Sequence, residues 1–288
     1  MAERNMNYET IIYETEGPLA WITLNRPEKL NAINPAMVGE VKSAMDRAQL
    51  NDEVRVILLK GEGRAFCSGL DLETRIGQDL EDEEDAAALK AELRDCFDMI
   101  MRFWDSPKPT VSAVHTYCIG AGMELALGCD ITLAANECRF GSPEVLFGSG
   151  VVAMLLPHLV GPKRAKEILL TGNDRITSEQ AAEWGLINRA VGESKLIRRA
   201  RRMALEIARN DQLAVRVTKQ AINNSMEIGS MREAMKHALE LEFAIETTQT
   251  ETSHEFHEIL QKHGFRAALQ WRENKLGIYG QVMRHEIG

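Results

Sequence analysis

The sequence lacks several features that would assign it to common classes of protein. Its five cysteines are odd in number and form no C-x-x-C pair, which argues against a disulfide framework and against a structural zinc site. No apolar run reaches the ~18 residues that would span a bilayer, and the first ten residues, "MAERNMNYET", contain no apolar segment typical of a secretory signal. We therefore expect a soluble, cytoplasmic protein that does not bind a membrane.

Patterns for binding nucleic acids and nucleotides are also missing. The net charge is -9 and no basic run is longer than "RRARR", so a nucleic-acid partner is not favoured. The "GAG" stretch from Gly120 to Gly122 follows a predicted strand, but Leu125 stands where a dinucleotide fingerprint needs its third glycine. There is no G-x-x-x-x-G-K-[ST] loop and no G-x-S-x-G elbow. Nucleotide-dependent redox chemistry, phosphoryl transfer and serine hydrolysis are therefore disfavoured.

Hydrophobic patterning predicts a mixed α/β core followed by helices. Two β-rich runs, "ETIIYET" and "LAWITLN", flank "EGP" and predict a hairpin, and an amphipathic helix is expected near 36–50. The nearly continuous aliphatic run "VRVILLKG" is typical of a strand that is covered on both faces. Helical patterns dominate after Gly161. We predict a core domain at residues 1–205 and a C-terminal helical region at 206–288 that docks on the core or on another subunit.

Two glutamates stand in apolar surroundings. Glu124 lies in "CIGAGMELALGCD", in the first turn of a predicted helix, where it could simply be a charge that the helix dipole stabilises. Glu144 follows Pro143 in "FGSPEVLFG" and could be a capping or surface residue. Alternatively, the two carboxyl groups could divide the roles of general acid and base, because burial raises the pKa of a carboxyl toward the working range.

Other titratable clusters have simpler interpretations. His254 and His257 are three residues apart in "TETSHEFHEILQKH", a spacing that can ligate a metal, but the stretch is strongly polar and is more typical of a solvent-facing helix. His115 lies in a predicted strand and is interpreted as a packing residue. We expect no metal site.

Small residues in two motifs allow the main chain to approach a ligand. The stretches "CSGLDL" and "GAGME" both place glycine where backbone N–H groups can come close to one oxygen atom. Two such donors would stabilise a developing enolate.

Taken together, these motifs resemble the crotonase superfamily, the enoyl-CoA hydratase and isomerase family, over nearly the whole chain. The matching stretches are "LNRPEKLNAI", "GRAFCSGLDL", "PTVSAVHTYCIGAGMELALGCDITLAA", "RFGSPEVLFG" and "LLTGNDRITSEQAAEWGLINRAV". The resemblance implies an α/β spiral of repeated ββα turns with a C-terminal helical trimerisation region, and two trimers often stack as a hexamer. It also implies acyl-CoA thioester substrates, with coenzyme A as part of the substrate and no separate cofactor.

The resemblance further implies roles for particular residues. The N–H groups of Leu70 and Ala121 would form an oxyanion hole for the thioester oxygen. Glu124 would orient a water molecule, and Glu144 would exchange a proton with the water and the α-carbon, giving syn hydration of a 2-enoyl-CoA or the reverse dehydration. The substrate and CoA contacts expected from the family pattern are Lys29, Ala65, Ser68, Gly69, Asp71, Gly120 and Gly122. Arg64 is a further candidate for a phosphate contact, whereas Arg26 can equally be structural.

The chain departs from the family pattern after the second glutamate. Family hydratases carry Pro-Gly and Gly-Gly-Thr stretches there, but "GSGVVAMLLPHLVG" supplies Val151, Val152 and Met154 to the expected acyl pocket. These bulkier side chains should reshape the pocket and could affect the water. Another crotonase reaction, such as isomerisation or hydrolysis of a specialised acyl-CoA, is therefore the alternative, together with a non-catalytic acyl-CoA-binding protein.

Overall fold

The computed structural model describes residues 8–72, 83–147 and 149–227, and, further along, 251, 254–255, 258–264, 266–268, 270–271 and 274. The chain divides into two compact units, Met1–Ala208 and Arg209–Gly288. The described helices are α1 (Pro35–Leu50), α2 (Glu83–Trp104), α3 (Ala121–Leu127), α4 (Leu156–Thr171), α5 (Ser178–Glu183), α6 (Leu196–Ala208) and, in the second unit, α7 (Gln212–Glu227).

Two sheets organise the first unit. The larger one has the order β1-β2-β3-β4-β6-β9, and the smaller one the order β5-β7-β8. The strands are β1 (Ile11–Glu16), β2 (Leu19–Leu24), β3 (Val56–Gly61), β4 (Thr110–Val114), β5 (Tyr117–Ile119), β6 (Ile131–Ala135), β7 (Arg139–Gly141), β8 (Ile176–Thr177) and β9 (Arg189–Val191). The predicted hairpin is the antiparallel pair β1 and β2, whereas every other pair in the larger sheet is parallel.

The larger sheet is covered on both faces, as the aliphatic run in β3 predicts. Ile57 and Leu59 belong to the main core with α1, while Val56 and Leu58 belong to a second apolar cluster that contains residues of α6. The alternation follows from the two-residue period of a strand. Residues of α6 pack there through four buried side chains at four-residue spacing, Leu196, Ala200, Ala204 and Ala208. The alanines are small enough to allow close packing of the helix on the sheet.

The smaller sheet brings two motifs to the same end. Strands β5 and β7 are parallel neighbours, and the Gly120 N–H donates to the Gly141 carbonyl oxygen at 2.8 Å just beyond them. The chain continues from β5 into α3, which carries Glu124, and from β7 into the turn that carries Glu144. Parallel pairing therefore places both glutamates beyond the carboxyl ends of adjacent strands.

The loop after β3 is fixed to this sheet and to the turn after β2. Cys67 pairs with β5 through two backbone hydrogen bonds of 3.0 Å, in a bridge opposite Cys118. The buried Asn31 adopts a positive φ of 56° and donates from Nδ2 to the carbonyls of Glu62, Ala65 and Phe66 at 2.8–3.1 Å. One amide side chain thus holds the "GRAFCSG" loop in place.

The remaining expectations concern membranes, thiols and metals. None of the helices in the described ranges combines the length and apolar character needed to cross a bilayer. All five cysteines are buried thiols that form no disulfide among the described residues. Within the described part of the chain, no group of three or more His, Cys, Asp or Glu residues is arranged to hold a metal ion, and His257 lies outside that part.

Candidate active site

The first element of the site is the backbone at Leu70. Ile33 pairs with this segment in a parallel bridge: the Ile33 N–H donates to the Gly69 carbonyl at 2.8 Å, and the Asp71 N–H donates to the Ile33 carbonyl at 2.9 Å. The N–H of Leu70, between these two bonds, faces the other way, and it donates to no acceptor within the described ranges. It is therefore available to a ligand.

The second element is the backbone at Ala121, the first residue of α3, whose N–H has no partner within the helix. Gly69 and Gly120 bring the two elements together. A Cβ added at Gly69, where φ is +101°, would lie 3.6 Å from the Ala121 nitrogen and 3.7 Å from the Gly120 Cα. Positive φ favours glycine at both positions, and an added Cβ would also come within 3.2 Å of the Ile119 carbonyl oxygen at Gly69 and 2.5 Å of the Glu144 Oε1 at Gly120. Both glycines therefore shape the backbone on which Leu70 and Ala121 present their N–H groups.

Glu124 is 1% exposed and sits in the main core of the first unit. Its Oε2 accepts a hydrogen bond from the Val152 N–H at 3.3 Å, whereas its Oε1 is buried and accepts none from the described residues. Burial raises the pKa of the Glu124 carboxyl to about 8. The backbone N–H groups of Ala153 and Val152 oppose this rise, and the charge of Glu144 adds to it. The protonated form of this carboxyl therefore predominates at pH 7.

Glu144 begins a 3-10 turn (Glu144–Phe147) and is partly exposed. Its Oε2 accepts a hydrogen bond of 2.5 Å from the hydroxyl of Ser142. Its Oε1 lies against Gly120, because a Cβ added there would come within 2.5 Å of this oxygen. The carboxylate of Glu144 thus stands directly beside the glycine that precedes Ala121.

An apolar cavity of about 360 Å³ opens beside Glu144, between the segment after β7 and α4. Val151 and Met154 line it, as predicted for the acyl pocket, and Lys166 is its one basic lining residue. The third predicted residue, Val152, does not line this cavity: its side chain packs against the main core while its N–H faces Glu124.

The residues predicted to contact CoA lie on the same loops but differ in their surroundings. Asp71 is buried and forms an ion pair with Arg26 at 2.9 Å, so Arg26 has the structural role considered for it. Ala65 is fully buried, while the backbone of Ser68 donates to the Leu30 carbonyl at 3.1 Å. Gly122 packs on Cys67, since an added Cβ would lie 2.6 Å from its Sγ.

Two exposed cations flank this loop. Lys29 and Arg64 are both exposed. Their segments touch, because a Cβ added at Gly63 would lie 2.6 Å from the Cβ of Pro27. His115 hydrogen-bonds the Gly63 carbonyl at 3.0 Å, which agrees with a packing role. The contact of Lys29 and Arg64 with CoA phosphates stays a prediction.

Sequence reasoning missed two contributors to the site. Ser142 is not among the site residues predicted from the sequence, although a hydroxyl two positions before a candidate base can indicate a hydrogen bond to it. The N–H of Val152 was also missed. Every residue except proline has a backbone N–H, so the residue type does not indicate that this N–H reaches Glu124. Only the path of the loop in the structure shows it.

Comparisons with known proteins establish the family and the fold of the chain. The family model described as enoyl-CoA hydratase/isomerase matches residues 14–267. A protein of Aspergillus fumigatus named mevalonyl-coenzyme A hydratase is 33% identical over 88% of this chain and 92% of its own. A crotonyl-CoA hydratase of Syntrophomonas wolfei is 34% identical over 77% of this chain and 84% of its own.

The solved structure of an enoyl-CoA hydratase/isomerase from Xanthobacter autotrophicus Py2 superposes with a TM-score of 0.74 at 42% identity, covering 93% of this chain and 99% of that one. Another, an enoyl-CoA hydratase subunit from Geobacillus kaustophilus HTA426, gives a TM-score of 0.80 at 31% identity, covering 88% of this chain and 96% of that one. The predicted crotonase fold is thereby confirmed, and the chain belongs to the enoyl-CoA hydratase/isomerase family.

Proposed function

We propose that the protein is an enoyl-CoA hydratase that adds water syn across the C2=C3 bond of a 2-enoyl-CoA, or catalyses the reverse dehydration. The observation that carries this proposal is the position of Glu144: its Oε1 lies against Gly120, next to the free N–H of Ala121. The second carboxyl, Glu124, is buried nearby, and the charge of Glu144 contributes to raising its pKa. Relatives that are named hydratases support the same conclusion.

The proposed chemistry conserves protons. The thioester oxygen accepts hydrogen bonds from the Leu70 and Ala121 N–H groups. These donors stabilise the enolate that forms when water adds to C3 and negative charge develops on that oxygen. Glu144, as a carboxylate, takes a proton from water while the water oxygen bonds to C3. Glu144 then returns a proton to C2 from the same side. Glu124, neutral at pH 7, holds the water through its buried carboxyl.

The acyl chain is proposed to occupy the cavity beside Glu144. Eight of the twelve lining residues are aliphatic, methionine or proline, which favours an apolar acyl group, and a volume of about 360 Å³ has room for more than a crotonyl group. Coenzyme A would lie along the "GRAFCSG" loop, with Lys29 or Arg64 at its phosphates and no further cofactor. We also propose a cytoplasmic homotrimer or hexamer assembled through residues 206–288.

Loss of the conjugated thioester absorbance tests the hydratase proposal. Purified protein is mixed with a series of straight and branched 2-enoyl-CoA esters, and we expect hydration with a preference for chains longer than crotonyl. Glu144→Gln should lower turnover by orders of magnitude while acyl-CoA binding persists, and Glu137→Gln, at an exposed glutamate, is the matched control.

Three other outcomes would contradict the proposal. Turnover of a 3-enoyl-CoA without hydration would indicate an isomerase, and release of free CoA would indicate a hydrolase. Binding of acyl-CoA without turnover of any ester would indicate a non-catalytic protein.

A further inference from the structure

We infer that Ser142 is a positioning residue that fixes which oxygen of Glu144 reacts. Its hydroxyl occupies Oε2 and leaves Oε1 to exchange protons with water and substrate. The inference rests on the proposed function of Glu144 and extends it to a residue outside the glutamate pair.

The contact between the two side chains is short and enclosed. The Ser142 hydroxyl donates to Glu144 Oε2 at 2.5 Å, and Ser142 is only 2% exposed. A hydroxyl that donates to one oxygen of a carboxylate restricts rotation of the carboxyl group. The other oxygen of Glu144 thereby keeps its direction toward water and substrate.

Ser142 is itself held by the backbone. Its N–H donates to the Asn173 carbonyl at 3.1 Å, and the residue before it, Gly141, accepts from the Gly120 N–H at 2.8 Å. Pro143, which follows, has no N–H and a fixed φ. In this turn the donor that reaches Glu144 Oε2 is therefore the serine hydroxyl.

The opposite oxygen faces the reacting groups. Oε1 of Glu144 lies against Gly120, and the N–H of the next residue, Ala121, is, like that of Leu70, a donor with no acceptor among the described residues. A thioester whose carbonyl oxygen binds the Leu70 and Ala121 N–H groups would place C2, the atom bonded to its carbonyl carbon, on the Oε1 side of the Glu144 carboxyl. If Oε2 lost its donor, the carboxyl could rotate, and the two oxygens would compete for both roles.

Three variants test the inference. Ser142→Ala removes the hydroxyl, and Ser142→Thr keeps it, since the adjoining cavity has room for one methyl group. Ser106→Ala is the matched control, because Ser106 is also 2% exposed and its hydroxyl is hydrogen-bonded in the turn before β4. Hydration kinetics are measured together with the exchange of C2 protons of a saturated acyl-CoA in D₂O. Melting temperatures identify variants that are merely misfolded.

For Ser142→Ala we expect kcat and the exchange rate to fall about tenfold to a hundredfold, which corresponds to the loss of one hydrogen bond to a charged group. KM should change little, and Ser142→Thr should restore most of the rate. Ser106→Ala should affect neither rate.

Equal rates for Ser142→Ala and the wild type would overturn the inference, as would equal losses in the alanine and threonine variants. A rise in KM with kcat unchanged would instead make Ser142 a contact of the acyl chain. Proton exchange needs Glu144 and the enolate site but no addition of water. A wild type that exchanges protons without hydrating would therefore refute the hydratase proposal and still test Ser142. A wild type with neither activity would refute both.

Discussion

Replacing Glu124 by glutamine is expected to stabilise the protein at alkaline pH and to change its stability little at acid pH. Burial raises the pKa of this carboxyl from 4.5 to about 8 in the folded state. Below pH 4.5 the group is neutral whether the chain is folded or unfolded. As the pH rises from 4.5 to 8, the unfolded chain releases the proton and the folded chain keeps it, so the free energy of unfolding decreases. Above pH 8 both states are ionised and the loss is complete.

The size of the effect follows from the width of that interval. It spans 3.5 pH units, and at ~1.4 kcal/mol per unit the largest possible loss is about 5 kcal/mol. A glutamine of nearly the same shape cannot ionise and avoids this loss. The difference between variant and wild type should therefore grow by up to about 5 kcal/mol between pH 4.5 and pH 9.

Urea unfolding of both proteins at several pH values measures this difference. Titrations common to the two proteins cancel in the comparison, and Glu137→Gln, at an exposed glutamate, controls for removing one negative charge. A difference that stays constant from pH 4.5 to pH 9 would refute the reasoning, because it would mean that Glu124 ionises as readily in the folded protein as in the unfolded chain.

Three further predictions concern activity and stability. The value of kcat/KM for hydration should fall as the pH rises through about 8, because ionised Glu124 can no longer donate to water and repels Glu144. The residual activity of Glu124→Gln should lack this decline at alkaline pH. If the variant kept the decline, the assignment of the pKa to Glu124 would be wrong. Gly122→Ala should destabilise the protein by about 1–3 kcal/mol, since its Cβ would meet Cys67 at 2.6 Å. Gly39 lies in the middle of α1, and a Cβ added there would meet no other atom within 4 Å. Gly39→Ala should therefore stabilise the protein by about 0.5–1 kcal/mol, as thermal or urea unfolding would show.

Local patterns in the sequence were sufficient for most of the larger sheet. The nearly continuous apolar runs of β2 and β3, and the helical period of α1, are properties of neighbouring residues, so they can be predicted without knowing the fold. The chemistry of Glu124 was open, because a first-turn charge on a helix has the same local pattern. Its burial depends on the Val152 segment, 28 residues later in the chain, which covers it.

The contacts that sequence could not predict are those between distant backbone segments. Gly69 and Gly120 are 51 positions apart, and nothing near either residue indicates that they touch. Their contact depends on the bridge of Cys67 to β5 and on Asn31, which fixes the loop from the other side. The proposed oxyanion site thus depends on three segments at once, and only the family resemblance predicts it from the sequence.

This reliance on backbone groups also explains why the unusual residues of this chain are compatible with the proposed chemistry. Val152, one of the bulkier residues by which the chain departs from the family pattern, donates its N–H to Glu124, and its side chain packs against the core. Ala121 likewise contributes only its N–H, and its methyl group is buried. The substitutions that change chemistry are therefore those at Glu124, Glu144 and Ser142, where a side-chain atom makes the contact. Substitutions at Val151 and Met154, which line the cavity, should change the preferred acyl chain and leave the reaction itself unaltered.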